Sequence, residues 1–256
     1  MKTTALLSPV GVVAIALAAS ACGKEPAPPP DAGVDTSCGI DCEAQNRYGL
    51  ILHRCFEYTD TSSAQTLPAL GVLVSEVTHL ESGPPVIKVE YSQAGARKMT
   101  DSFMIVDGTL KLARREWVSG GSVTYKDAEG TIVGVDLWQL DTAAGQNFST
   151  EASADFISPN GTRQTEETTF SVVTAAPTTT EKTVPAGTFD NAIKVLVNEQ
   201  PPHGMDPRRI FVEGTGFTLI STALSATPGS GKEYRLQGIR DIGTPDAGAQ
   251  ACGLAP

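Results

Sequence analysis

The sequence predicts an all-β fold, or nearly so, built as an antiparallel meander. Three observations predict it. Helical periodicity is nearly absent beyond the N-terminal apolar run, apolar and polar residues alternate repeatedly, and turn residues interrupt the alternating runs every eight to sixteen positions. In PVIKVEYS (85–92), Ile87, Val89 and Tyr91 share one face, while Lys88, Glu90 and Ser92 share the other. In FMIVDGTLKL, Asp107-Gly108 stands between two such runs, the strongest short-range signal for a hairpin with a type I′ turn.

The chain opens differently. Lys2 is the only charge before an apolar run from Val10 to Ala19, too short to span a bilayer as a mature helix. A basic start, an apolar centre and a small-residue cleavage site make residues 1–21 a signal peptide. Ala19-Ser20-Ala21 suits ordinary signal peptidase; followed by Cys22, the same residues resemble a bacterial lipobox, in which the cysteine is acylated and becomes the mature N-terminus. The commonest lipobox has Leu three residues before the cysteine, where this chain has Ala19. Cysteine parity favours acylation: of Cys22, Cys38, Cys42, Cys55 and Cys252, an acylated Cys22 leaves four that can form two disulfides in an oxidising compartment. Residues 22–37 then form a lipid-anchored tether. Pro26, Pro28, Pro29 and Pro30 favour polyproline II, so the fifteen residues after Cys22 reach up to about 45 Å. Gly23, rather than an Asp, follows the cysteine, and by resemblance to other lipoproteins this implies the outer membrane, facing the periplasm or the cell surface.

Residues 38–252 are expected to form a single β domain, with 253–256 as a short tail. Strands are expected at 47–58, 71–80, 85–92, 97–106, 109–118, 121–126, 131–140, 147–157, 164–175, 189–198, 208–223 and 232–240. The Thr-rich run around Phe170, Val172 and Val173 suits a pleated surface better than a mucin-like stalk. Without residues 1–21 the chain has 18 Lys and Arg against 29 Asp and Glu, a formal charge of −11, which argues against nucleic acid as a partner. It also leaves the lipid, rather than surface charge, to hold the protein at a membrane.

In KTVPAGTFDNAIKVLVNE (182–199), Pro185 sets a turn, Gly187 relieves its end, and an Ile193, Val195, Val197 face follows. RRIFVEGTGFTLIST (208–222) comes next, and AGQNF (144–148) precedes both. Together these motifs resemble a group of bacterial envelope β-domain proteins with a V-P-A-G-x-F hairpin. The resemblance covers about residues 140–225 and implies a curved sheet similar to the half-barrel of periplasmic lipoprotein carriers, able to hold an apolar ligand. Val195, Val197, Phe211 and Phe217 would then line an apolar cavity. The family brings no catalytic residue with it.

Candidate chemistry is sparse. His53, His79 and His203 have no partner at metal-ligand spacing, so no metal site is expected, and His203 is a solvated loop residue more readily than a base. ATPGSGKEY (226–234) lacks both ends of a phosphate-binding loop, Gly214-Thr215-Gly216 reads as a bulge or bend, and there is no nucleophile elbow. No cofactor is therefore expected. Glu166-Glu167 and Asp127/Glu129 are the nearest carboxylate clusters, on positions that are ordinarily solvated.

Four cysteines allow three connectivities. PPDAGVDTSC (29–38) and TPDAGAQAC (244–252) place a cysteine at each margin of the domain, which suggests a Cys38–Cys252 staple and a Cys42–Cys55 pair. The rival Cys38–Cys42 pair closes a short loop and would stabilise least. The expected function is non-enzymatic: an envelope protein, anchored to the membrane through its N-terminal lipid, whose β domain binds an apolar small molecule or an envelope protein. A structural or adhesive surface lipoprotein is the alternative, and an enzyme with a site assembled from scattered groups is the third. A deep apolar cavity favours the first, a filled core without a pocket the second, and converging His and carboxylate groups the third.

Overall fold

The computed structural model describes residues 40–60, 69–81, 83–202, 208–222, 232–242 and 252. The signal peptide, the tether, Cys22, Cys38, His203 and residues 226–231 lie outside them. The order of elements is α1 (Cys42–Arg47), β1 (Arg54–Asp60), β2 (Leu70–His79), β3 (Pro85–Gln93), β4 (Ala96–Val106), β5 (Thr109–Trp117), β6 (Ser122–Lys126), β7 (Val135–Gln139), β8 (Asn147–Ile157) and β9 (Arg163–Ala175). There follow α2 (Thr179–Lys182), β10 (Thr183–Val184), β11 (Gly187–Thr188), β12 (Ile193–Gln200), β13 (Arg208–Val212), β14 (Gly216–Thr222) and β15 (Lys232–Asp241).

The fold is all-β, as the alternation predicts, and the sheet closes completely instead of stopping at a half-barrel. The strand pairings run β5-β4-β3-β2-β1-β15-β14-β13-β12-β9-β8-β6 and return to β5, a ring of twelve antiparallel strands. Two junctions make the closure. β1 pairs with β15 from Arg54↔Asp241 to Asp60↔Tyr234, bringing the first and last strands together. On the far side, β5 shares one edge between two partners: Arg114–Glu116 pair with β6, and Thr109–Leu112 pair with β7. β6 and β7 are thus one interrupted strand, broken by residues 127–134.

Local chemistry explains the corners. Asp107 and Gly108 both have positive φ (49° and 71°), the left-handed pair that a type I′ turn requires, and Val106 pairs with Thr109 across it. Ala94-Gly95 does the same between β3 and β4, although Ala is a poor left-handed residue and gives no signal in the sequence. Four boundaries differ from expectation, one of them being the 189–198 run, which is a strand only from Ile193. The 47–58 run becomes a strand only at Arg54, because its first residue, Arg47, ends α1, whose start the Asp41 carboxylate caps by accepting from the Ala44 N–H at 3.1 Å. The 208–223 run is folded in two at Gly214, which has a φ of 74°. The 131–140 run pairs as a strand only over Val135–Gln139, with a lone bridge at Ile132.

Inward-facing side chains form one large core, from Tyr48, Phe56 and Tyr58 through Phe103, Trp117 and Tyr125 to Phe211, Tyr234 and Leu236. The outward faces carry three smaller apolar patches, each covered by chain that leaves the meander. Ile132, from the break between β6 and β7, lies on Leu80, Val86, Met104 and Ala113. Phe189 and Ala192, from the stretch between β9 and β12, lie on Ile210, Val212 and Leu219.

The third patch corrects the expected disulfides. Cys252 is bonded to Cys55, with Cα atoms 5.4 Å apart and a separation of 197 positions in sequence, beside Leu73 and Ile242. The Cys38–Cys252 and Cys42–Cys55 pairing is therefore not adopted. The reason lies in the closure. Cys55 faces outward opposite Arg240, and the Ile242 N–H donates to the His53 carbonyl at 3.0 Å, so Ile242, the first residue after β15, packs beside Cys55. Cys42 is also disulfide-bonded, to a partner outside the described residues. Non-reducing peptide mapping should join the peptides of Cys55 and Cys252. A loop of this length constrains the unfolded chain strongly, so Cys252→Ala should lower stability by up to about 5 kcal/mol in a denaturant titration.

Candidate functional site

A ring of twelve strands encloses more volume than aliphatic side chains readily fill, and the chain fills it with aromatic and charged groups. Asp101 lies on the inward face of β4 between Met99 and Phe103. Its two carboxylate oxygens accept from Arg115 Nε and Nη2 at 2.7 Å each, with both side chains at most 1% exposed. From the opposite wall Arg209 approaches the same carboxylate at 3.8 Å, its guanidinium 4.8 Å from the Phe217 ring centroid and 5.8 Å from that of Phe103. Glu199 on β12 accepts from the Tyr125 hydroxyl at 3.0 Å. Two arginines and two carboxylates thus share the lumen with formal charges that cancel, the condition under which buried charge is tolerated.

The tyrosines follow the same rule. Tyr58 donates to the Phe217 carbonyl at 2.6 Å. Burial pushes the phenols of Tyr48, Tyr58, Tyr125 and Tyr234 above their ordinary value, because a phenolate there would lose its hydration.

One end of the barrel is closed by α1. Arg47 Nε donates to Glu213 and Arg47 Nη2 to Asp141, each at 2.7 Å, and the Arg47 carbonyl accepts from the Gly214 N–H at 2.7 Å. The next residue, Tyr48, inserts its hydroxyl between strand ends, donating to the Gly108 carbonyl at 2.6 Å and accepting from the Leu110 N–H at 3.1 Å. Gly49 follows with φ of 70°, so close to the β13–β14 turn that a Cβ would stand 2.5 Å from the Thr215 carbonyl carbon. The Gly-Thr-Gly turn is the seat of this plug, and a Cβ on Gly216 would stand 3.4 Å from the Tyr48 carbonyl oxygen.

Beside the plug lies a cavity of about 240 Å³. Its floor is Trp138, Leu140, Ile193 and Phe211; its polar margin is Asp141, Thr142, Asn191 and Glu213. Among the described residues, the inward-facing side chains otherwise form one continuous core. A void of about 20 Å³ between Tyr58, Val89, Phe103 and Phe217 has room for one water at most.

The residues expected to line an apolar cavity do not line one together. Val195 and Val197 point inward from β12 but pack into the core and border neither cavity; Phe211 borders the larger and Phe217 the smaller. His79 is an exposed strand-end residue whose Nδ1 lies 3.3 Å from the Gly83 carbonyl, and His53 is held through its backbone. Glu166 and Glu167 are exposed, while Asp127 accepts from the N–H groups of Glu129 and Thr131 and so shapes its own hairpin. Among the described residues, no group of three His, Cys, Asp or Glu side chains could hold a metal ion. Sequence reasoning missed the luminal charges. The signal was present in MTDSF, where Asp101 takes an inward position between Met99 and Phe103. Comparison with protein-family models, with curated proteins and with solved structures found no match for this chain.

Removing Asp101 leaves Arg115 and Arg209 facing each other without the carboxylate between them. Asp101→Ala should therefore cost about 3–5 kcal/mol in denaturant unfolding. Alkali gives a second check. The buried phenols bind their protons more tightly when folded, so their stabilisation is complete below the unfolded tyrosine value near pH 10 and is lost as pH rises above it. Phenolate absorbance should appear together with loss of near-ultraviolet circular dichroism, well above pH 10, instead of as an independent titration of the folded chain.

Proposed function

We propose that this chain is an exported envelope protein, anchored to the outer membrane by acyl groups on Cys22 and held off it by residues 22–37. Its barrel acts by binding and not by catalysis, taking a small ligand with an apolar body or part of another envelope component. The observation that carries the export half is the state of the cysteines. Cys42, Cys55 and Cys252 are all in disulfides, which suits an oxidising compartment.

The outward faces support a barrel standing in water. Lys88–Glu76, Arg97–Glu90 and Arg240–Glu57 ion pairs lie on them, where a membrane-spanning barrel would present an apolar band. The lipid, not the sheet, is then the attachment to the bilayer. Among the described residues, the larger cavity is the one beside α1, which favours it as the place of binding. The continuous core favours, as the second reading, a purely structural surface lipoprotein.

Metabolic labelling with a fatty-acid analogue tests the anchor. The full-length wild type should carry the label and sediment with outer membranes, and Cys22→Ala should lose both properties while remaining folded. An unlabelled, soluble wild type would overturn the anchored reading.

A further inference from the structure

We propose that the cavity beside α1 binds a small organic cation: a primary or quaternary ammonium group carried on an apolar body of about one ring. This assignment rests on the binding role proposed above and gives it a ligand class, but it does not depend on the lipid anchor.

Size comes first. A dry cavity of about 150 Å³ holds a benzene molecule, and drug-sized pockets begin near 300 Å³. At about 240 Å³, this cavity takes one ring with a short charged arm. Its floor suits such a body. Trp138 and Phe211 have ring centroids 5.2 Å apart, with Leu140 and Ile193 beside them, an apolar surface that suits one ring.

Charge then selects the sign. Asp141 and Glu213 stand at the margin with side chains 77% and 49% exposed, and both are bound by the single guanidinium of Arg47. Three formal charges therefore sum to −1 beside the opening. An anion entering there meets two carboxylates before it reaches Arg47. An ammonium meets them in the favourable sense and shares them with Arg47, while the hydroxyl of Thr142 and the amide oxygen of Asn191 supply further acceptors.

The margin is also built in advance. Asp141 is held in the left-handed region, with φ of 65°, a conformation that persists only where its surroundings fix it. The adjoining Thr142 hydroxyl donates to the Gln139 carbonyl at 2.6 Å and fixes the turn. Glu213 is fixed from the other side, because α1 is locked onto the β13–β14 turn through Gly49 and the Arg47 carbonyl. A ligand thus finds its carboxylates placed rather than having to order them.

Isothermal titration of the full mature chain in detergent tests this with three probes of one shape: benzyltrimethylammonium, benzyl alcohol and phenylacetate. The cation should bind once per chain, with changed tryptophan fluorescence, about tenfold more tightly than benzyl alcohol and more weakly as salt rises. Phenylacetate should not bind measurably. Glu213→Gln should weaken the cation about five- to tenfold and leave benzyl alcohol unchanged. Ile193→Trp, which fills the cavity from its floor, should abolish binding of both, with an unchanged circular dichroism spectrum showing that the barrel is intact. Equal affinity for benzyl alcohol, or tighter binding of phenylacetate, would overturn the cation assignment and leave the cavity a ligand site. No saturable binding of any probe to a folded chain would overturn the site together with the binding role proposed above, and neither result bears on acylation of Cys22.

Discussion

Closure is the constraint on which the other features depend. Once β1 pairs with β15 and β5 with β6 and β7, the sheet has an inside, and that inside must be filled to the density of a protein core. Twelve strands enclose too much space for valine and leucine alone. The chain supplies Tyr48, Tyr58, Phe103, Trp117, Tyr125, Phe170, Trp138 and Tyr234, and then two arginines. Large residues with polar ends bring obligations. Every hydroxyl and guanidinium taken inside needs an acceptor there, which is why Asp101 and Glu199 occupy inward positions that pure alternation would give to apolar residues.

The outside has the complementary problem. Apolar residues on the outward face at Met104, Leu219 and Cys55 would be wet on a bare barrel. Each is sheltered by chain that departs from strict up-and-down order: the break between β6 and β7, the stretch carrying α2 and the β10–β11 hairpin, and the C-terminal Cys252. These departures are therefore layers of the structure, and the pairing of β5 with two successive partners is what allows the first of them.

Much of the strand framework was legible because period-two alternation is a local signal. β8 runs over the expected 147–157, β2 through β5 lie within a residue or two of expectation, and the Asp107-Gly108 turn has the predicted backbone. α1 was not legible: six residues are too few for helical periodicity to register, and its position is set by Asp41 at one end and by the Gly-Thr-Gly seat at the other. The disulfide was illegible for a different reason. Which cysteine Cys252 meets depends on which strand β15 joins, a fact about pairing across nearly the whole chain. The candidate cavity shares this character: Trp138, Ile193 and Phe211 come from three strands, Asp141 and Glu213 from two turns, and nothing in sequence spacing brings them together.

The junction of β1 and β15 also sets an order in time. A meander can assemble its hairpins one after another as the chain emerges, but β1 has to wait for a partner 187 positions away, Arg54 for Asp241. Until that residue is delivered, one edge of a growing eleven- or twelve-strand sheet stays unpaired, with its aromatic lining open to water. High contact order makes such a step slow, and an unsatisfied edge invites other chains. A polypeptide that crosses a membrane N-terminus first would therefore spend its most vulnerable interval on the far side, waiting for its own last strand.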